Sequence, residues 1–154
     1  MAGETAIDLG FGVYRAAESG KGFRDGQIVE SEKRDKLYIL RKSERTEKDL
    51  FTYRAKIDRV VDGDTLRVEI DLGFGISVRE YLRLRGIDAP EMDTDEGKRA
   101  KTFVELELRK VEEIILTSTR DDKYGRYLAD VFYGAEEKFY LNQKLLDDGF
   151  AVRM

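Results

Sequence analysis

Ala55-Lys56-Ile57-Asp58-Arg59-Val60-Val61-Asp62-Gly63-Asp64-Thr65-Leu66-Arg67-Val68-Glu69-Ile70 reads as two strands joined by a tight turn. Ala55 to Val61 is rich in strand formers and runs into Asp62-Gly63-Asp64, a strong turn signal. From Thr65 onward Leu66, Val68 and Ile70 alternate with Arg67 and Glu69, the pattern of a half-buried strand. Ile76 to Arg85 continues the alternation, with Leu82 and Leu84 on one face and Arg83 and Arg85 on the other. A helix is expected next. Asp93 or Thr94 can cap it, Glu96 follows Asp93 by three residues, and Ala100, Phe103, Val104, Leu108 and Val111 mark one apolar face. Ile114 to Thr119 and Tyr127 to Tyr133 read as further strands across the polar turn Asp121 to Arg126. Leu141 to Asp148 reads as a closing helix, with Gly149 as its left-handed stop. Five strands with inserted helices predict a mainly β, α+β chain folded as a small closed barrel, the OB type leading.

Residues 1–50 are different. They hold ten basic and ten acidic residues and carry no chemical motif. Ile28-Val29 and Leu37 to Leu40 can form a hairpin around the charged stretch Glu30 to Lys36, and a helix through that stretch is a close alternative. This part is expected to be an N-terminal extension or a linker, and 51–154 the barrel domain.

Composition narrows the chemistry. The 154 residues include no histidine and no cysteine. That excludes histidine bases, Ser-His-Asp triads, thiolate or imidazole metal sites and disulfides. Hydrolysis would have to use carboxylates, arginine, lysine, tyrosine or a hard cation held by oxygen. A net charge of −4 argues against bulk affinity for a polyanion, although local arginines can still create a positive site. No apolar run reaches the length of a membrane span, and the opening residues lack a secretory signal. The chain is therefore expected to work in the cytoplasm or within a larger protein.

Three stretches carry candidate chemistry. Asp62-Gly63-Asp64-Thr65 is ordinary turn punctuation, or a turn that aims a carboxylate at a cation. In Arg83-Leu84-Arg85-Gly86-Ile87-Asp88-Ala89-Pro90-Glu91, the single proline biases Ala89 toward an extended backbone. The Asp88 side chain and the Ala89 carbonyl can then face one way, with Glu91 close by; the plainer reading is a strand end with solvated acids. Asp122-Lys123-Tyr124-Gly125-Arg126 is a charged hairpin turn, or a third source of positive charge through Lys123 and Arg126. Phosphodiester hydrolysis explains the combination. Its transition state gathers negative charge on phosphoryl oxygens, which guanidinium forks and an oxygen-ligated cation neutralise. A carboxylate can accept the proton of the attacking water.

Together these motifs resemble the staphylococcal nuclease (thermonuclease) family over residues from about 51 to 152. The matching pieces are Val61-Asp62-Gly63-Asp64-Thr65, Arg83 to Glu91 and Asp122 to Ala129, with Leu141-Asn142 to Ala151 similar to the family's next helix. The resemblance implies an OB-fold, calcium-dependent endonuclease acting on single-stranded or frayed DNA or RNA and leaving 3′-phosphate and 5′-hydroxyl ends. It implies that Asp64 and Asp88 ligate calcium with the Ala89 carbonyl, and that Thr65 sits beside the metal and its water. Glu91 would be the general base, Arg83 and Arg126 would bind the phosphate, and Lys123 and Tyr124 would touch a terminal phosphate. Ala89 stands where the family usually has threonine. The loop after Glu91 is shorter, the late base-pocket tyrosines have no counterpart, and the family's last helix is not expected within 51–154. The alternatives are a non-catalytic module of the same fold that binds nucleic acid or protein, and a small-nucleotide phosphodiesterase.

Overall fold

The computed structural model describes residues 5–17, 22–121 and 125–154. The chain divides into two compact units, 1–51 with 72–76, and 52–71 with 77–154.

In the first unit, β1 (Ala6–Gly10) pairs antiparallel with β2 (Val13–Ala16). The turn uses Phe11 at φ 54° and Gly12 at φ 74°, left-handed geometry that suits glycine. A second hairpin joins β3 (Val29–Arg34) to β4 (Leu37–Lys42), in register from Val29 opposite Lys42 to Arg34 opposite Leu37. The charged stretch is thus strand almost throughout, and only Asp35-Lys36 turns. Cross-strand charge pairing makes this workable, because Arg41 reaches Glu30 at 3.1 Å and Glu32 at 3.7 Å. Arg15 lies over the rings of Tyr38 and Phe74, 5.0 and 4.4 Å from their centroids.

The second unit is the barrel. β5 (Thr52–Asp62), β6 (Thr65–Gly73) and β7 (Ile76–Leu84) are followed by the short β8 (Ile87–Asp88) and α1 (Asp95–Arg109). Next come β9 (Ile114–Asp121), β10 (Tyr127–Tyr133), the short β11 (Phe139–Tyr140), α2 (Leu141–Asp147) and the short β12 (Val152–Arg153). Sheet order runs β10-β7-β6-β5-β9, and β9 pairs back onto β10, closing five strands into a barrel. β10 runs parallel to β7 and antiparallel to β9. This mixed, closed topology is an OB-type barrel.

Alternation fills it. Leu66, Val68 and Ile70 of β6, Leu82 and Leu84 of β7, and Leu116 and Val131 are fully buried. The opposite faces of β6 and β7 are left to Thr65, Arg67, Tyr81 and Arg83. α1 starts where Thr94 Oγ1 accepts the Gly97 N–H at 3.0 Å, and it buries Ala100, Val104 and Leu108. Phe103 stacks on Phe150 at 4.4 Å. Asn142 pegs α2 to the barrel, accepting from Val131 N–H and donating to the carbonyls of Arg85 and Ala129 at 3.0–3.1 Å. β12 pairs with β8 and so ties the chain's last residues to the segment carrying Asp88. Among the described residues no helix is long and apolar enough to cross a membrane.

Candidate functional site

The Asp62-Gly63-Asp64-Thr65 turn is knit by its own side chains. Asp62 Oδ1 accepts the Asp64 N–H at 3.0 Å, and Thr65 Oγ1 donates to Asp64 Oδ1 at 3.1 Å. Glycine is required at 63 by close approach, since a Cβ there would stand 2.8 Å from the methyl groups of both Ala89 and Ala100. That contact presses the turn against the segment after β8. Asp64 Oδ2 accordingly accepts the Ala89 N–H at 2.8 Å.

Arg83 is set by the alternation of β7. Leu82 and Leu84 fill the barrel, so Arg83 faces outward, yet it is only 8% exposed. Nη1 pairs with Asp64, while Nη2 donates to Asp88 Oδ1 at 3.0 Å and to the Ile87 carbonyl at 3.1 Å. One guanidinium therefore bridges two aspartates far apart in sequence. From β10's approach, Arg126 Nη1 donates to Thr65 Oγ1 at 3.3 Å. Asp64, Thr65, Arg83, Asp88, Ala89 and Arg126 form one connected cluster. Glu91 follows Ala89 by two residues and is exposed; its carbonyl accepts the Thr94 N–H at 3.0 Å and Thr94 Oγ1 at 2.6 Å. Lys123 and Tyr124 lie outside the described residues.

The electrostatics follow from burial and crowding. Burial works to raise the carboxyl of Asp64, but hydrogen bonds from Asp62, the Ala89 N–H and Arg83 outweigh it and hold Asp64 below the usual carboxylate value. Its neighbour takes the opposite course: burial, reinforced by the Asp64 carboxylate, pushes Asp62 up to about 6. Asp62, bonded to the Asp64 N–H, adjoins this cluster; sequence reasoning quoted it within the turn but gave it no role of its own, because an aspartate before Gly-Asp is ordinary turn chemistry. Asp88 is different again, with its side chain 57% exposed and open toward solvent.

Every candidate ligand here offers oxygen: two carboxylates, a backbone carbonyl and a hydroxyl. That donor set fits a hard cation such as calcium. Among the described residues, no group of three or more His, Cys, Asp or Glu side chains is arranged to hold a metal. A cation at Asp64 and Asp88 would thus complete its roughly six to eight oxygens with water or substrate.

An OB-type barrel with carboxylates and arginines gathered on its outer face defines a class. The comparisons narrow it. The family model of staphylococcal nuclease homologues matches residues 81–154. A thermonuclease of Staphylococcus hyicus is 35% identical over 104 residues, covering 62% of this chain and 56% of its own length. An uncharacterized protein of Methanocaldococcus jannaschii is 33% identical over 125 residues, covering 64% of this chain and 58% of its own. A Bacillus anthracis protein, also uncharacterized, is 26% identical over 151 residues, with 89% and 67% covered. The chain thus spans little more than half the length of the first two relatives. Its barrel domain is similar to the staphylococcal nuclease homologues, the family model matching residues 81–154.

Proposed function

We propose that the barrel domain is a calcium-dependent endonuclease that hydrolyses phosphodiester bonds of DNA or RNA, leaving 3′-phosphate and 5′-hydroxyl ends. The observation that carries this reading is the Arg83 guanidinium spanning Asp64 and Asp88, with Arg126 reaching Thr65 beside them. The similarity to the thermonuclease of Staphylococcus hyicus supports the same reaction class.

In this reading Asp64, Asp88 and the Ala89 carbonyl would hold calcium, with Thr65 beside that site; calcium, when bound, would supply positive charge against the phosphoryl oxygens. Arg83 and Arg126 grip the non-bridging oxygens as charge accumulates on them, each through paired N–H groups. Glu91, exposed and two residues beyond Ala89, takes the proton of the attacking water, which adds to phosphorus as the bond to the 5′ oxygen breaks. The leaving 5′ oxygen takes a proton from solvent water and departs as the 5′-hydroxyl. Lys123 and Tyr124 contact a terminal phosphate.

The test is digestion of single-stranded DNA and RNA with calcium and with EDTA. Cleavage that requires calcium and yields 3′-phosphates is expected. Activity that survives chelation, or none in either condition, refutes the reading. A second reading is favoured by the same ion pairs, because Arg83 is engaged by both aspartates: a non-catalytic module that binds nucleic acid or protein. Binding of single strands without cleavage in calcium would select it.

A further inference from the structure

We infer that Arg59, Arg67 and Tyr81 form a second phosphate contact, which receives the nucleic-acid backbone next to the linkage held at Arg83 and Arg126. The inference rests on that reading of the Arg83 cluster and extends it along the sheet.

The placement follows from strand geometry. β6 and β7 are neighbours, with Leu66, Val68, Leu82 and Leu84 turned into the barrel. Thr65 and Arg67 therefore share the outer face of β6, and Arg83 and Tyr81 that of β7. Moving from Thr65 to Arg67 and from Arg83 to Tyr81 is one side-chain repeat along each strand, about 7 Å. The register of β5 then slips between Ile57 and Arg59, a bulge that sets Arg59 opposite Arg67. Two like charges directly across a strand pair repel one another. Here they are held on one phenol: Arg67 Nη1 donates to Tyr81 Oη at 2.9 Å and Arg59 Nη2 at 3.2 Å. Asp58, the bulge residue, meets Arg67 Nε at 3.2 Å. It balances one of the two guanidiniums and leaves one net positive charge in the group.

A neutral oxygen with two cationic donors on it, at the surface, is a place where an anionic oxygen gains more than the phenol does. Hydrogen bonds to the two arginines, Arg59 first, and the charge of Arg67 already lower the pKa of Tyr81, the same field an incoming phosphate would meet. Guanidinium forks match phosphate oxygens in pairs. A strand laid across the outer face would meet Arg83 and Arg126 at one phosphate and this group at another.

The experiment uses the full chain and a fluorescein-labelled hexathymidylate, with binding read by anisotropy in EDTA, where the probe is not cut, across a salt series. Arg59→Ala, an exposed position, and Arg67→Ala should each weaken binding about ten-fold at low salt. Each should also flatten the plot of log affinity against log salt by about 0.7, the release expected from one phosphate contact on a single strand. Arg59→Lys should restore much of the slope, and Arg109→Ala, removing an exposed arginine at the end of α1, should leave both values at wild type. Unchanged affinity and slope in both alanine variants, an equal loss in Arg109→Ala, or no binding by the wild type overturns the inference. Thermal unfolding checks that each variant is folded, and the exposed Arg59 keeps the test decisive if Arg67→Ala is not. Cleavage is scored separately: binding that shows these losses with no cleavage in calcium keeps this contact and rejects the nuclease.

Discussion

Replacing Arg83 by alanine should cost stability as well as activity, and calcium should return part of the loss. Arg83 and Asp64 are both nearly enclosed, with side chains 9% and 7% exposed. Removing one partner of a buried pair strands the other charge, a cost of roughly 3–5 kcal/mol. Asp64 keeps the Ala89 N–H and the Thr65 hydroxyl, which places the loss near the lower limit. Asp88 adds little, because its side chain is 57% exposed and water screens the pair. A loss of about 3 kcal/mol moves the urea midpoint down by roughly 1.5 M for a typical small-domain slope. Calcium binding only the folded state at about 100 times its dissociation constant adds ~2.7 kcal/mol to wild type. In Arg83→Ala the same aspartates lack their guanidinium, so the calcium-induced rise should be larger. The assay is urea unfolding of both proteins, with calcium and with EDTA. Equal midpoints in EDTA would show that the Arg83–Asp64 pair holds nothing together, and equal calcium shifts would show that the ion does not sit on Asp64.

Three further outcomes follow from the same geometry. Glu91→Ala should lower cleavage by about 10²–10⁴-fold with an unaltered unfolding midpoint, since Glu91 is exposed; an unchanged rate removes it as the base. Gly63→Ala drives a methyl into Ala89 and Ala100 and should cost roughly 1–3 kcal/mol while weakening calcium binding by calorimetry; wild-type values for both contradict the close approach. Burial works to raise Glu107, but the Lys110 ammonium and the Tyr133 hydroxyl outweigh it and hold its carboxyl below the ordinary value. A depressed folded pKa gives stability that is present above the unfolded value and lost as pH falls through the folded one. Tyr133→Phe should therefore lose stability at neutral pH and converge on wild type in acid, and a constant difference across the titration refutes the pairing.

The barrel was legible because its strands alternate. Leu66, Val68 and Ile70 on β6, and Leu82 and Leu84 on β7, state which face is inside before any coordinates exist. β8 and β12 escape that logic, since two-residue strands have no period to read. The strands of the β1–β2 hairpin around Gly10-Phe11-Gly12 are only five and four residues long, and charge-rich β3 resembles a loop until Arg41 is seen facing Glu30. At the site, motif order showed that Asp64, Asp88 and Arg83 belong together. It did not show that one guanidinium would bridge both acids, because contacts between long side chains depend on where the Gly63 turn is pressed. The Arg59–Arg67 pairing was hidden for a related reason. Simple alternation along β5 gives the wrong neighbours, and only the bulge at Asp58 sets Arg59 opposite Arg67.

Diffraction from crystals grown in calcium tests the central claim most directly. An anomalous peak about 2.3–2.6 Å from carboxylate oxygens of both Asp64 and Asp88 is the predicted result. A peak elsewhere on the molecule, or none at saturating calcium with those aspartates still paired to Arg83, contradicts it.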